Sequence, residues 1–349
     1  MDELFLLGLA GILVALFVFG FRKLPQDRWQ MIACIPVQRE ASGLWRGVNL
    51  TFYGFFNATA LVMAISVWSL LLSALGLREG EMAALGIPLI GICFLASRGV
   101  ARAVEKKRHT ATIGGASFVL ILISPWLIAV IEGFHLSGTD SFSRVFPILS
   151  TVLIAYALGE GVGRLACISF GCCYGKPLDQ CHPWLRKLFS HFPFVFSGET
   201  KKISYAHGWE GRPVIPIQGL TAILSTGAAL VGIYLFLKGR YGAAFWIPLV
   251  ATQLWRFFSE FLRADFRGEG KITAYQWMAL LSVPYALSLA AWIPLPPPLP
   301  TNLREGLEFL SRPVNILFLQ GLWIVAFFLT GKSSVTASTL SFHVIREKT

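Results

Sequence analysis

The sequence predicts an all-α, polytopic membrane protein with about nine transmembrane helices and one larger extramembrane loop. Hydrophobic residues make up 55% of the 349 residues and charged residues only 14%, whereas a typical soluble domain carries roughly 25% charged residues. The mean hydropathy is +0.63, and the apolar residues are gathered in runs of about 20, the length that crosses a bilayer as a helix. These observations argue against a soluble enzyme, a disordered chain and a nucleic-acid-binding module.

Apolar runs of this length recur along the whole chain. The first begins after Asp2 and Glu3, which are acidic where a secretory signal peptide is basic, and no small-residue cleavage site follows it. We therefore expect it to remain as an anchor. Cys34 follows the polar stretch 26–30 rather than an apolar run, which disfavours a lipidation site. The predicted spans are 4–21, 50–75, 82–101, 112–133, 146–170, 216–237, 242–262, 275–294 and 313–331.

The loops between nine spans alternate between the two sides of the membrane. One side carries 21 Lys and Arg residues and the other carries 6, so the positive-inside rule makes the first side cytoplasmic. We assign the net charge of +11 to lipid headgroups or anionic substrates rather than to nucleic acid. The longest loop, 174–215, is too short for its own core and is predicted to form a cap. The basic side comprises 22–49, 102–111, 174–215, 263–274 and the tail from 332.

Ionisable residues within a span are costly in lipid and mark candidate functional sites. Glu160 and Arg164 are four residues apart in the fifth span, so they share one helix face and are expected to pair. Glycines around them leave room for another helix or a ligand, and Gly171 and Gly175 allow the chain to turn out of the membrane. The alternative is a small-residue packing face with an internal ion pair.

A second charged cluster lies in the seventh span. Arg256, Glu260 and Arg263 follow i, i+4, i+7 spacing, which places all three on one helix face. Phenylalanines cover the remainder, so the helix is predicted to be polar towards a cavity and apolar towards lipid. Arg263 lies near the membrane interface, and the alternative for it is a side chain that snorkels to water.

Further polar groups fall at the same membrane level. Arg98 and Arg102 end the third span, where basic residues also serve as interfacial anchors. Arginine forks suit bidentate phosphate binding, and a phospholipid headgroup is the anion present at that depth. Tyr53 begins the second span and Gln218 begins the sixth. Each also fits an ordinary aromatic-belt or helix-end residue.

The run from Gly163-Arg164 to Tyr174-Gly175 resembles the signature of the prolipoprotein diacylglyceryl transferases, usually G-R-x-G-N-F-x-N-x-E-x-x-G. The resemblance covers about 48–290. Further pieces that fall in the family's order are Phe52-Tyr53-Gly54, Gly114-Gly115, Arg212-Pro213 with Pro216-Ile217-Gln218, Arg256-Phe257-Phe258-Ser259-Glu260-Phe261-Leu262-Arg263, and Gln276-Trp277.

The resemblance implies a multi-pass enzyme of the bacterial cytoplasmic (inner) membrane that uses no cofactor. Such an enzyme transfers the diacylglyceryl group of phosphatidylglycerol, or a similar anionic phospholipid, to the lipobox cysteine of a prolipoprotein signal peptide. Arg164 and Arg256 would then hold the lipid phosphate, and His109 would act as general base for the acceptor thiol. Expected substrate contacts and their supports are Tyr53, Gln218, Glu260 (which would hold Arg256 or Arg263), Arg263, Gly171, Gly175, Arg98 and Arg102.

The chain departs from the family pattern at several positions. Cys167 and Cys172 stand where the signature has asparagine and glutamate, and Ile215 and Thr221 stand where the family has histidine and an acidic residue. His109 lies five residues before the Gly-Gly pair rather than next to it. The arginines that bind an anion are kept, while several groups that handle protons or orient substrate are not.

Several roles are possible for the cysteines. Cys172, Cys173, Cys181 and His182 supply enough ligands for zinc, but adjacent cysteines followed by this gap are not a standard spacing, and no metal site is predicted. The other possible roles are a local disulfide, packed thiols, and a nucleophile that is activated by Arg164 and transiently lipidated.

The resemblance also divides the chain. Residues 1–47 are an additional membrane helix with an amphipathic, basic linker, 48–290 are the transferase-like core, and 291–349 are a Pro-rich segment, a terminal helix and a polar tail. Two other functions remain. One is a divergent transferase with another acceptor, and the other is a non-catalytic protein that binds or transports phospholipid.

Overall fold

A computed structural model of the chain describes residues 1–106, 112–135, 143–265, 272–293 and 301–349. Helices account for 71% of it, which confirms the predicted all-α class. The long helices are α1 (Asp2–Lys23), α2 (Phe52–Ala74), α3 (Glu79–Glu105), α4 (Ile113–His135), α5 (Val145–Phe170), α8 (Ile217–Leu237), α9 (Tyr241–Leu262), α10 (Ala274–Ala290) and α12 (Pro313–Gly331). The short elements are β1 (Met31–Arg39), β2 (Trp45–Thr51), α6 (Pro183–Phe189), β3 (Phe194–Val195), α7 (Lys202–His207), β4 (Pro213–Val214), α11 (Leu303–Ser311) and β5 (Lys332–Leu340).

Each predicted span corresponds to one of the nine long helices. Within the described residues, seven of these are long and apolar enough to cross a membrane, namely α1, α2, α3, α4, α5, α8 and α12. Helix α10 has 17 residues, and α9 contains Arg256 and Glu260. The multi-pass architecture is therefore confirmed, and the count of nine spans stays a prediction.

Helix α5 lies at the centre of the bundle. In its most apolar stretch 89% of the residues are buried. Helices α2, α4, α8 and α9 all pack against it. The glycines of its sequence explain the close approach. A side chain at Gly161 would collide with Thr226 and with the carbonyl of Ala222 on α8, and one at Gly159 would press on Ala64 of α2. The small residues bring charged side chains of three helices within reach of each other.

The chain leaves α5 through Gly171, whose φ of +69° favours glycine. The following loop, 172–216, forms the cap and contains α6, α7 and the small sheet of β3 and β4.

Lys201 connects this cap to the bundle. Its buried ammonium donates to the carbonyls of Leu24, 3.0 Å away, and Ser169, 2.7 Å away. These carbonyls lie at the C-terminal ends of α1 and α5, where a cation complements the helix dipole.

A three-stranded antiparallel sheet, in the order β1-β2-β5, joins the two terminal parts of the chain. The sequence predicted a basic linker and a polar tail in these segments. Strand β2 leads directly into α2, and Thr51 at that junction donates its hydroxyl to the carbonyl of Gly331, where α12 ends. The backbones of Gly54 and Gly331 are in contact, and a side chain at Gly54 would separate them.

Hydrogen bonds join several of the loops that the sequence assigns to the same side of the membrane. At the basic end the bonded pairs are Lys201–Leu24, Thr51–Gly331 and Lys176–Leu262. At the opposite end they are Asn302–Ala74, Thr301–Leu237 and Arg312–Glu79.

Candidate active site

Two arginines meet on one carboxylate in the middle of the bundle. Arg164 on α5 donates from Nη2 to Oε1 of Glu160 at 2.6 Å, and Arg256 on α9 donates from Nη2 to the same oxygen at 2.5 Å. The hydroxyl of Tyr156 donates to the other oxygen, Oε2, at 2.6 Å. Glu160 is 4% exposed, and both arginines are 9% exposed. Tyr156, Glu160 and Arg164 are successive i, i+4 positions of α5, so they share one face.

The arrangement leaves hydrogen-bond donors without acceptors. Within the described residues, Nε of Arg164 and Nε of Arg256 are buried and have no partner. The two guanidiniums and the carboxylate of Glu160 together carry a local net charge of +1. Burying an uncompensated charge is expensive, and a buried donor without an acceptor adds to that cost. Both features fit an anion with tetrahedral oxygens, such as a phosphate.

A glycine borders the second arginine. A side chain at Gly114, near the start of α4, would collide with Nη1 of Arg256 and with the ring of Tyr275. The next residue, Gly115, faces Val100 of α3 in the same way. The Gly-Gly pair therefore admits both a guanidinium and a neighbouring helix, which side chains there would prevent.

Arg263 belongs to a second charged cluster. Its Nε and Nη2 donate to the two oxygens of Asp265, each at 2.9 Å, and its Nη1 lies 3.6 Å from Oε1 of Glu260. Seven residues separate Arg263 from Arg256, about 10 Å along a helix. Of the two arginines that Glu260 was expected to hold, it pairs with Arg263. Here two carboxylates surround one guanidinium.

Gln218 fixes the turn that follows α5. Its side chain is fully buried, and Nε2 donates to the carbonyl of Cys172 at 2.8 Å. Its Oε1 is buried and has no partner within the described residues, so this oxygen could accept a hydrogen bond from a hydroxyl. Gly175 lies tightly against the backbone of Ile215, which holds the outgoing chain beside Gln218.

Three thiols and a tyrosine border the same turn. The Sγ atoms of Cys167, Cys172 and Cys173 lie within 4.8 Å of one another, and all three thiols lie near the phenol of Tyr53. The ring of Tyr53 lies 5.6 Å from that of Phe170. The hydrogen bond with Cys167, a second one with Cys173 and burial together raise the pKa of the Cys172 thiol well above its ordinary value. A neutral thiol is a poor nucleophile.

The other predicted residues lie elsewhere. Arg98 and Arg102 are exposed on α3, and the guanidinium of Arg98 lies 4.3 Å from the ring centre of Phe94. The structure does not bring them to Glu160. His109 lies outside the described residues. Cys181 is not part of the thiol cluster, and its Sγ donates to the carbonyl of Pro177.

Sequence reasoning missed two partners of the arginines. Tyr156 stands four residues before Glu160 and could have been found from that spacing. Asp265 follows the end of α9, and its role depends on the backbone turn there, which the residue pattern does not predict. The thiol cluster was also missed. The sequence suggested Cys181 and His182 as companions of Cys172 and Cys173, whereas the structure brings Cys167 to them.

Sequence comparisons find known proteins to which this chain is similar. A sequence model described as prolipoprotein diacylglyceryl transferase matches residues 112–292, just over half of the chain. The chain is also similar to a Clostridium perfringens (strain 13 / Type A) protein named phosphatidylglycerol–prolipoprotein diacylglyceryl transferase 2. The two are 25% identical over 150 residues, which are 42% of this chain and 52% of that protein. The match thus spans about half the length of that relative.

Proposed function

The chain belongs to the prolipoprotein diacylglyceryl transferase family, and we propose that it transfers the diacylglyceryl group of phosphatidylglycerol, or of a similar anionic phospholipid, to the lipobox cysteine of a prolipoprotein signal peptide. The observation that carries this proposal is the pair Arg164 and Arg256 on Glu160, with one buried unpartnered Nε on each arginine. This pair lies within the part of the chain that the family model covers.

The charges at Glu160 suit this reaction. The thiol sulfur attacks the glycerol carbon that bears the phosphate, the C–O bond breaks, and a thioether forms. The thiol proton passes to a base, and glycerol phosphate leaves with one more negative charge than the phosphodiester had. A site with a local charge of +1 therefore stabilises the departing group more than the bound lipid, which is the condition for catalysis.

Other residues would bind and orient the lipid. Tyr53 and Gln218 would contact the headgroup, and the unpartnered Oε1 of Gln218 supports that role. We assign general-base chemistry to His109. The remaining proposed contacts or supports are Arg263 with Glu260, the turn glycines Gly171 and Gly175, and Arg98 and Arg102 at the edge of α3.

We also propose the division of the chain and its location. Residues 48–290 would form the catalytic core, with 1–47 and 291–349 as additional segments, in a bacterial cytoplasmic membrane. The packing of α1 and α12 outside the central helices α2, α5, α8 and α9 supports this division.

A transfer assay tests the function. Purified chain in phosphatidylglycerol-containing detergent micelles is mixed with a lipobox peptide, and the lipid is labelled in its acyl chains. Labelled peptide with a thioether supports the proposal. Release of glycerol phosphate with label in another product would assign another acceptor, and lipid binding without turnover would assign a non-catalytic protein. A peptide with Ser in place of the lipobox Cys is the matched control.

A further inference from the structure

The three thiols at the end of α5 form a cluster that the transfer reaction does not use. Cys167 lies in the last turn of α5, and the αL turn at Gly171 brings Cys172 and Cys173 back towards it. The three Sγ atoms lie within 4.8 Å of one another, and they are the one such group of metal-ligating side chains within the described residues.

A disulfide and a three-thiolate metal site need different separations of the sulfurs. A disulfide requires an S–S distance of about 2.05 Å and joins two of the three sulfurs. A metal ion held by three thiolates at about 2.3 Å places the sulfurs about 4.0 Å apart, because they form a triangle around it. The upper limit of 4.8 Å is close to that triangle, so small side-chain shifts would complete it.

The cluster has a positively charged neighbour and a fixed backbone. The guanidinium of Arg164 acts electrostatically on the thiols of Cys167 and Cys173, and positive charge stabilises the deprotonated form. The backbone is also held in place. Cys173 adopts a φ of +58°, in the left-handed region that a residue with a side chain rarely occupies. The carbonyl of Cys172 is bound by Gln218.

We propose that Cys167, Cys172 and Cys173 form a three-thiolate binding site for a soft metal ion of the Cu(I) class. Thiolates select soft ions, and structural zinc takes four ligands where this group offers three. On binding, the three thiols lose their protons to solvent. The resulting Cu(I)–trithiolate carries a charge of −2 beside Arg164. It should therefore weaken phosphate binding there, a consequence that rests on the proposed function, whereas the metal binding does not.

Anaerobic titration of the full reduced chain with Cu(I), in competition with a chromophoric Cu(I) chelator, tests the site. Wild type and the control variant Cys34→Ser/Cys93→Ser/Cys181→Ser should each bind one equivalent with the same affinity. Cys167→Ser and Cys173→Ser should each weaken binding at least tenfold. A variant is folded if it keeps the elution volume and the melting temperature that wild type has in detergent.

Two results would overturn the proposal. One is Cu(I) affinity that stays unchanged in the folded Cys167→Ser and Cys173→Ser variants. The other is loss of the bound equivalent in the control variant, since its cluster is intact. Cys172 is buried, so its replacement would disturb folding and is not used in the test. Cys173 is partly exposed, so the Cys173→Ser variant alone decides the test if Cys167→Ser does not fold. None of these measurements uses transferase activity.

Discussion

Arg164 on α5 and Arg256 on α9 donate to a single carboxylate oxygen, Oε1 of Glu160, at 2.6 Å and 2.5 Å. Each guanidinium keeps a buried Nε that has no partner within the described residues. Glu160 thus holds the two forks side by side and leaves one donor of each without an acceptor in the described part of the chain. This relationship gives the first prediction.

Replacing either arginine by glutamine should abolish diacylglyceryl transfer, because the departing phosphate would lose a charge-assisted donor. Arg164→Lys and Arg256→Lys should restore little activity, since an ammonium cannot reproduce the bidentate fork. The measurement is the initial rate of peptide labelling at saturating lipid. Arg304→Gln, at an exposed ion pair on α11, is the control and should keep the wild-type rate. Near-normal rates in both lysine variants would contradict the phosphate assignment.

Glu160→Gln should lower the free energy of unfolding by about 3 kcal/mol, because it leaves two buried arginines without a counter-charge. Inorganic phosphate should then raise the thermal midpoint of the variant more than that of wild type, since an anion can replace the lost carboxylate. Thermal unfolding in detergent, with and without phosphate, measures both effects. The control is Glu308→Gln at an exposed pair, where the loss should be below about 1 kcal/mol. Equal phosphate effects in wild type and Glu160→Gln would argue against anion binding at this site.

Part of this arrangement was predictable from the sequence. The i, i+4 spacing predicted the Glu160–Arg164 pair, and the face shared by Arg256, Glu260 and Arg263 predicted a polar side of α9, because both patterns are local to one helix. The meeting of Arg256 with Glu160 depends on how α5 and α9 pack, which a pattern within one helix does not encode. The β1-β2-β5 sheet was missed for a similar reason, because its strands come from the two terminal parts of the chain.

Lys201 should give the protein a pH-dependent stability above neutral pH. Burial lowers the pKa of Lys201 from 10.5 to about 8, so between these values the unfolded chain binds more protons than the folded one. Stability should therefore rise as pH increases from 8 to 10.5, by up to about 3 kcal/mol. Thermal midpoints across this range measure the rise.

The variant Lys201→Met should lack the rise. At pH 8 it should also be less stable than wild type by about 1–3 kcal/mol, because the carbonyls of Leu24 and Ser169 lose their donor, and this deficit should grow as the pH rises. The neighbouring Lys202→Met is the matched control and should keep the rise. A flat profile in wild type would mean that the two helix C-termini hold Lys201 in its charged form.

The double variant Cys172→Ala/Cys173→Ala should retain most of the lipid-dependent transfer. The chain folds back at Gly171, so the thiols lie nearer to Arg164 than a straight helix would allow. The pKa of Cys172 is nevertheless raised, which keeps this thiol protonated and disfavours a nucleophilic role. The measurement is the rate of peptide labelling, with Cys181→Ala as control. A variant that folds and binds lipid but turns over nothing would make a thiol catalytic.

The orientation of the bundle in the membrane is the last prediction. The loops that the sequence assigns to the basic side, with 21 Lys and Arg residues, include the cap and the strands of the β1-β2-β5 sheet, and the positive-inside rule would make this side cytoplasmic. The family resemblance places the cap outside the cytoplasm. We predict the second orientation, because basic residues around an anionic-lipid site have a purpose besides setting topology, whereas the ordered motifs have no other explanation.

Labelling of introduced cysteines decides between the two orientations. Glu199→Cys lies in the cap, and Lys238→Cys lies in the loop between α8 and α9 at the opposite end; both positions are exposed. In intact cells that carry the Cys34→Ser/Cys93→Ser/Cys181→Ser background, a membrane-impermeant maleimide should modify Glu199→Cys. It should reach Lys238→Cys only after the inner membrane is permeabilised. The opposite pattern would mean that the charge bias sets the topology, and the anionic-lipid site would then open to the cytoplasmic leaflet.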